Sequence, residues 1–141
     1  QLKLGNQLCF RIYTAARLIT ATYTPHFKKL GITYPQYLVL MILWEKDNLI
    51  ISEITARLLL ETNTVTPLLQ RMEKEGLVVR QKSQADSRQR IISLTHKGKS
   101  LEEQMKDVPN CIAREVAECG MTVEEFRTLI PLLDKFIDIL R

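Results

Sequence analysis

Apolar positions along the chain change their spacing in a way that separates helices from strands. Between residues 4 and 24, Leu8, Ile12, Ala15, Ile19 and Tyr23 recur every three or four positions, which predicts an amphipathic helix stopped by Pro25. A short linking piece runs through Gly31. The next helix is expected from about Thr33 to Lys46, with Thr33 as its N-cap and Pro35 in its first turn. Its stretch from Tyr37 to Trp44 is apolar nearly all round, so this helix should be central and buried.

After a turn at Asp47 and Asn48, Ile50 and Ile51 suggest a short strand. Ser52 then caps a short helix from Glu53 to Leu59. Another helix opens near Thr62 or Asn63, carries Val65, Leu68, Leu69 and Met72 on one face, and closes at Gly76. Two short helices joined by a few polar residues, the second with a polar leading edge, form a helix-turn-helix pattern. Beyond Gly76 the spacing changes. Leu77–Lys82 and Arg90–Leu94 read as paired strands around a polar tip, Ser83–Gln89, which together make a wing.

Thr95 caps a long helix expected to reach Glu118, with Leu101, Met105, Val108, Ile112 and Val116 on one face. A break at Gly120 leads to a last helix capped by Thr122, presenting Phe126, Leu129, Leu133, Phe136, Ile137 and Leu140. Pro109 and Pro131 fall inside these two helices, so bends are expected there. The fold class that follows is mainly α with a small β-hairpin wing. It is a single domain of residues 1–141, with a winged helix-turn-helix over about 33–95 between dimerisation helices at about 4–24 and 96–141. The first and last helices carry longer apolar stripes than a small core can cover, which implies a homodimer.

Composition narrows the class. The 141 residues are 45% hydrophobic and 26% charged, as in an ordinary globular protein, and no apolar run approaches the roughly 20 residues of a membrane span. The chain opens on Gln1 rather than Met, so a few residues are expected to precede it; with no leader pattern visible, a cytoplasmic location is expected. The net charge of +4 is a weak signal, but its distribution says more. Arg80, Lys82, Arg88 and Arg90 crowd the hairpin, whereas acidic residues gather in the last third.

That basic hairpin beside a polar helix edge points to double-stranded DNA. Thr62, Asn63, Thr64 and Thr66 suit phosphate contacts at a helix N-terminus, and Asn63 and Gln70 are able to read base edges in the major groove. Arg88 at the hairpin tip suits the minor groove, with Asp86 two residues earlier holding it or making the turn. Lys82 and Arg90 flank the tip as further DNA-binding candidates.

The three cysteines, Cys9, Cys111 and Cys119, form no Cys-x-x-Cys pair, and the two histidines, His26 and His96, lie far apart. A metal site is not expected, nor any other cofactor. The residues alone leave the cysteines either as inert core groups or as redox-active ones.

Ile-Thr-Tyr-Pro-Gln-Tyr-Leu-Val-Leu (32–40), Thr-Val-Thr-Pro-Leu-Leu-Gln-Arg-Met-Glu-Lys-Glu-Gly-Leu-Val (64–78), Asp-Ser-Arg (86–88) and Ser-Leu-Thr-His-Lys-Gly (93–98) resemble the MarR family of bacterial regulators. Asn-Gln-Leu-Cys-Phe (6–10) with the Tyr-Pro-Gln-Tyr segment is similar to the organic-hydroperoxide-sensing OhrR subgroup. The resemblance runs over nearly the whole chain. It implies a dimeric repressor on a pseudo-palindromic operator that lets go when Cys9 is oxidised by an organic hydroperoxide. It also implies that Tyr23 and Tyr34 of the partner subunit hydrogen-bond the Cys9 sulfur. The sulfenic acid formed there condenses with a second thiol, from Cys119, Cys111 or a low-molecular-weight thiol. Cys119 is favoured, since backbone movement beside Gly120 is cheap.

Three rival readings stay open. One is a MarR-type repressor released by a small aromatic ligand. A thiol peroxidase is a second, although only Arg11 and Arg17 lie near Cys9 in sequence and no peroxidase-like Pro/Thr/Cys arrangement surrounds it. The third is a purely architectural DNA binder.

Overall fold

A computed structural model describes residues 3–141, which fall into two compact units that divide between Lys106 and Asp107. In the first, a short 3₁₀ turn (Leu4–Asn6) precedes α1 (Leu8–Thr22), α2 (Thr24–Leu30), α3 (Tyr34–Glu45), β1 (Leu49–Ile50), α4 (Ile51–Leu58) and α5 (Thr62–Lys74). Strands β2 (Val78–Lys82) and β3 (Arg90–Leu94) follow, then α6 (His96–Met105). The second unit holds α7 (Val108–Glu118) and α8 (Val123–Leu140).

The expected wing is present, and it gains a strand. β3 lies between β1 and β2, antiparallel to both, with Leu49 opposite Ile92 and Lys82 opposite Arg90. The short strand lies at Leu49–Ile50 rather than at 50–51. Consequently α4 starts at Ile51 and Ser52 is not its cap; the Glu53 carboxylate instead accepts from the Ile50 amide at 3.0 Å. Asp47 braces this edge, its Oδ1 accepting from the Leu94 amide at 2.9 Å.

Two prolines act differently from expectation. Pro25 sits in the first turn of α2, so the piece expected to be a linker is a helix, closed by Gly31 at φ 67°. Pro109 likewise sits in the first turn of α7, and the helix expected from 95 to 118 is two helices meeting at Lys106 and Asp107. The reason is the same in both cases. A first-turn residue needs no intrahelical N–H bond, and the proline ring presets φ for a start. Pro131 does lie inside α8.

The core of the first unit is built from α3, α4, α5 and the inner sheet face, with Val39, Leu40, Ile54, Val65, Leu69 and Ile92 fully buried. Trp44 donates its indole N–H to the Gly98 carbonyl at 3.0 Å, tying α3 to α6. Helix α1 buries no residue completely and exposes Leu8, Tyr13, Leu18 and Ile19. In the second unit α8 also buries none, leaving Leu129, Leu133, Ile137 and Leu140 open. Such apolar helix faces are the kind that a partner covers. No helix among the described residues is long and apolar enough to cross a membrane.

Candidate nucleic-acid interface and thiol site

Helix α5 presents its N-terminal edge as expected. Thr62, Asn63, Thr64 and Gln70 are exposed and Thr66 is half-buried, while Val65, Leu68, Leu69 and Met72 face inward. No side chain caps the helix at Glu61, so the amides of its first residues point outward with the positive end of the helix dipole. Pro67 lies inside α5 and cannot bond back to the carbonyl four residues earlier, at Asn63.

At the wing tip, Ser83 is buried and its hydroxyl accepts from the amides of Ala85 and Asp86, at 3.2 and 3.3 Å. Asp86 then holds Arg88: its Oδ1 accepts from the Arg88 amide at 3.0 Å and from Nε at 3.2 Å. The Arg88 hydrogen bonds keep the Asp86 carboxyl below the usual carboxylate range. The Arg88 side chain is 89% exposed. Asp86 Oδ2 also accepts from Nη2 at 3.4 Å, so the guanidinium is gripped along its Nε–Nη2 edge and keeps its other face and Nη1 open to meet an anion. Lys82 and Arg90 stand opposite each other at the base of the tip, as expected.

One contact had no sequence signal. Glu73 on α5 accepts from Nε of Arg80 at 2.8 Å and from the Arg80 amide at 3.2 Å, joining the reading helix to β2. The Arg80 side-chain hydrogen bond holds the Glu73 carboxyl low. Helix and wing thus form one piece.

The thiol site is divided. Cys9 is exposed near the start of α1, whereas Tyr23 caps the far end of the same helix, roughly 21 Å along its axis at 1.5 Å per residue. Tyr23 and Tyr34 stand edge to face with ring centroids 5.4 Å apart, backed by Phe27 and Tyr37. Neither hydroxyl has a hydrogen-bond partner among the described residues. Burial raises both phenol pKa values, so each is a neutral donor at ordinary pH. The two tyrosines come together as expected, and Cys9 of the same chain does not join them.

Cys111 is half-buried one turn into α7, and Cys119 is exposed at that helix's C-cap. About 12 Å of helix separates them, too far for a disulfide within one chain. An open cleft of about 580 Å³ runs between α1, α2 and the start of α3, lined by Arg17, Thr20, Phe27, Lys28, Thr33 and Tyr34 among others. Neither Arg17 nor Lys28 forms an ion pair among the described residues. No cluster of metal-ligating side chains occurs among the described residues.

Residues 21–105 match the SarA/Rot family of transcriptional regulators. The organic hydroperoxide resistance transcriptional regulator of Bacillus subtilis is 40% identical over 92% of this chain and 88% of its own length. AbfR of Staphylococcus epidermidis is 37% identical with a TM-score of 0.74, covering 97% of this chain and 92% of that one. Reduced AbfR bound to DNA superposes with a TM-score of 0.75 over 98% of this chain and 95% of that one. Disulfide-formed AbfR gives 0.60 over 97% and 89%; both are 36% identical to this chain. The fold itself recurs in a MarR transcriptional regulator from Methanosarcina mazei Go1, 23% identical, with a TM-score of 0.73 over 92% of this chain and 96% of that one.

Proposed function

This chain belongs to the MarR family of transcriptional regulators, in its OhrR-like branch, and on that premise we propose that it is a repressor that leaves its operator when Cys9 is oxidised by an organic hydroperoxide. The observation that carries the reading is the divided thiol site. An exposed Cys9 lies at one end of α1, and a pair of neutral phenols without partners lies at the other. In this reading a second copy brings its Cys9 to the Tyr23–Tyr34 pair, and the open apolar faces that α1 and α8 each present support burial against such a copy.

In that dimer the two phenol O–H groups stabilise the Cys9 thiolate and the charge that develops on the peroxide. The thiolate attacks the outer peroxide oxygen, the O–O bond breaks, and the alkoxide takes a proton to leave as an alcohol. Cys9 becomes a sulfenic acid, oxidised by two electrons. A second thiol then displaces water and closes a disulfide. Cys119, exposed at a helix end, is the better placed second thiol; Cys111 and a low-molecular-weight thiol are the other two. The match is lower to disulfide-formed AbfR (TM-score 0.60) than to its reduced and overoxidised DNA-bound forms (0.75 each), which supports disulfide closure, rather than oxidation of the sulfur alone, as the step that changes shape. The matching family and relative are transcriptional regulators, which favours one oxidation event per site over turnover as the use of Cys9.

On DNA, Thr62, Asn63, Thr64, Thr66 and Gln70 face the major groove and Arg88, held by Asp86, enters the minor groove. Lys82 and Arg90 contact phosphates. Two such units bind half-sites of a pseudo-palindrome, about 34–36 Å apart. The setting is the cytoplasm, where reductants reset the thiol. Cys9→Ser tests the trigger: it keeps operator binding in a gel-shift titration and loses release by cumene hydroperoxide, and release that persists refutes the reading.

The cleft beside Tyr34 favours a second reading, release by a small aromatic anion held by Arg17 and Lys28. Salicylate added to protein with its cysteines blocked distinguishes the two.

A further inference from the structure

Gln36 is a buried polar group whose two ends bond to different elements. It is 2% exposed, and among the described residues only Ser83 shares its class as a buried polar residue. Its Oε1 accepts from the Thr33 amide at 2.9 Å, completing a capping box at the start of α3. Its Nε2 donates to Oε2 of Glu75 at 2.7 Å, across 39 residues of sequence.

Glu75 is the C-cap of α5. Its own amide donates to the Arg71 carbonyl at 2.9 Å, and its carbonyl accepts from Nζ of Lys97 at 2.9 Å. Next to it, the Thr95 hydroxyl donates to the Gly76 carbonyl at 2.6 Å. The Gln36 amide therefore lands where the end of α5 and the start of α6 are already pinned together. At its other end it is fixed to the turn that carries Tyr34, two residues earlier. A carboxamide is the side chain that fits, because it must accept from one side and donate to a carboxylate on the other.

We infer that Gln36 is a positioning residue, a strut through which the turn bearing Tyr34 sets the orientation of the DNA-reading helix. The tie to Tyr34 as a sensor contact rests on the function proposed above, while the tie to the reading helix rests on these bonds alone. Capping by itself does not ask for glutamine. Glutamate serves at this position of a capping box equally well. What an ionised glutamate cannot do is donate to Glu75, and protonating one of the pair costs free energy at neutral pH.

That difference supplies the test. Gln36→Glu keeps the cap and sets two carboxylates against each other, each disfavouring the other's charge. In the double variant Gln36→Glu/Glu75→Gln the roles are exchanged: the carboxylate now on α3 caps and accepts, and the carboxamide now at the end of α5 donates. Affinity for a labelled duplex from the protein's own promoter is measured with every thiol kept reduced, alongside thermal melts and gel filtration. Gln36→Glu is expected to lose about tenfold or more in affinity, and the double variant to return to within about twofold of the parent. Glu75→Ala, which removes the partner and leaves the cap intact, is expected to lose severalfold while staying folded. Parental affinity in Gln36→Glu, or no recovery in the double variant when it melts like the parent, overturns the strut. Hydroperoxide is then added to the same complexes. The ratio of reduced to oxidised affinity is expected to fall in Gln36→Glu and recover in the double variant. A parent that fails to release contradicts the redox reading, and the reduced-state affinities still decide the strut.

Discussion

Tyr23 and Tyr34 meet edge to face at 5.4 Å on the end of α1 that lies away from Cys9 of the same chain. That separation makes the proposed sensor a property of two chains rather than one. A mixed dimer exposes it. One subunit is parental and the other carries Cys9→Ser, Tyr23→Phe and Tyr34→Phe together. If the phenols act across the dimer, neither site is intact and oxidation of the remaining Cys9 is slow. Parental kinetics of thiol loss in the mixed dimer contradict the arrangement.

Removing both hydroxyls in a homodimer, Tyr23→Phe with Tyr34→Phe, is expected to leave operator binding unchanged. It should slow Cys9 oxidation by roughly tenfold or more, the equivalent of about 1.4 kcal/mol or more in lost charge-assisted hydrogen bonds. Stopped-flow thiol loss against cumene hydroperoxide measures this, with gel-shift titration as the control.

Arg88 is held by Asp86 yet has its side chain largely bare, which is the state expected of a group awaiting a groove. Arg88→Ala is expected to weaken operator binding by about 1–3 kcal/mol at fixed salt. Asp86→Ala removes the hold and leaves the charge, so a smaller loss is expected. Isotherms by fluorescence anisotropy report both.

Gly98 packs its α-carbon so tightly that an added Cβ would overlap the Leu77 carbonyl oxygen and press on Leu94. The contact closes the base of the wing against α6. Gly98→Ala is expected to destabilise the protein by more than about 2 kcal/mol through backbone displacement, read as a shift of the urea midpoint.

Tyr37 is buried among Tyr23, Tyr34 and Trp44, and its pKa is pushed up to about 12, first by burial and then by the neighbouring phenols. The neutral form is favoured in the folded state, so the unfolded chain ionises first. The stabilisation is fully present below the unfolded value near 10 and is lost as pH rises toward 12. A shift of that size is worth about 2–3 kcal/mol at most. Urea melts at pH 9 and pH 11 are expected to diverge less for Tyr37→Phe than for the parent.

Much of this architecture is legible in the sequence. Thr33, Thr95 and Thr122 each cap the helix they are expected to start, their hydroxyls accepting from the amide three residues on. Those bonds join residues three apart, and local chemistry announces them. Pro25 and Pro109 mislead, because proline both ends one helix and begins the next, and only packing decides which. Glu73–Arg80 and Gln36–Glu75 leave no trace at all. Each joins different elements, the second across 39 residues, and no periodicity encodes such a meeting. The candidate residues themselves are legible, since exposed polar groups on a helix edge and a basic hairpin tip are local features.

The central claim is that Cys9 oxidation is the event that frees the DNA. One reaction mixture tests it most directly. Labelled operator is saturated with reduced protein, an organic hydroperoxide is added, and aliquots are split between anisotropy and mass mapping of the Cys9 peptide. The account predicts that loss of bound DNA follows oxidation of Cys9 in time and extent, and that dithiothreitol reverses both. DNA that stays bound after Cys9 has fully entered a disulfide, or that leaves while Cys9 is still a thiol, contradicts it.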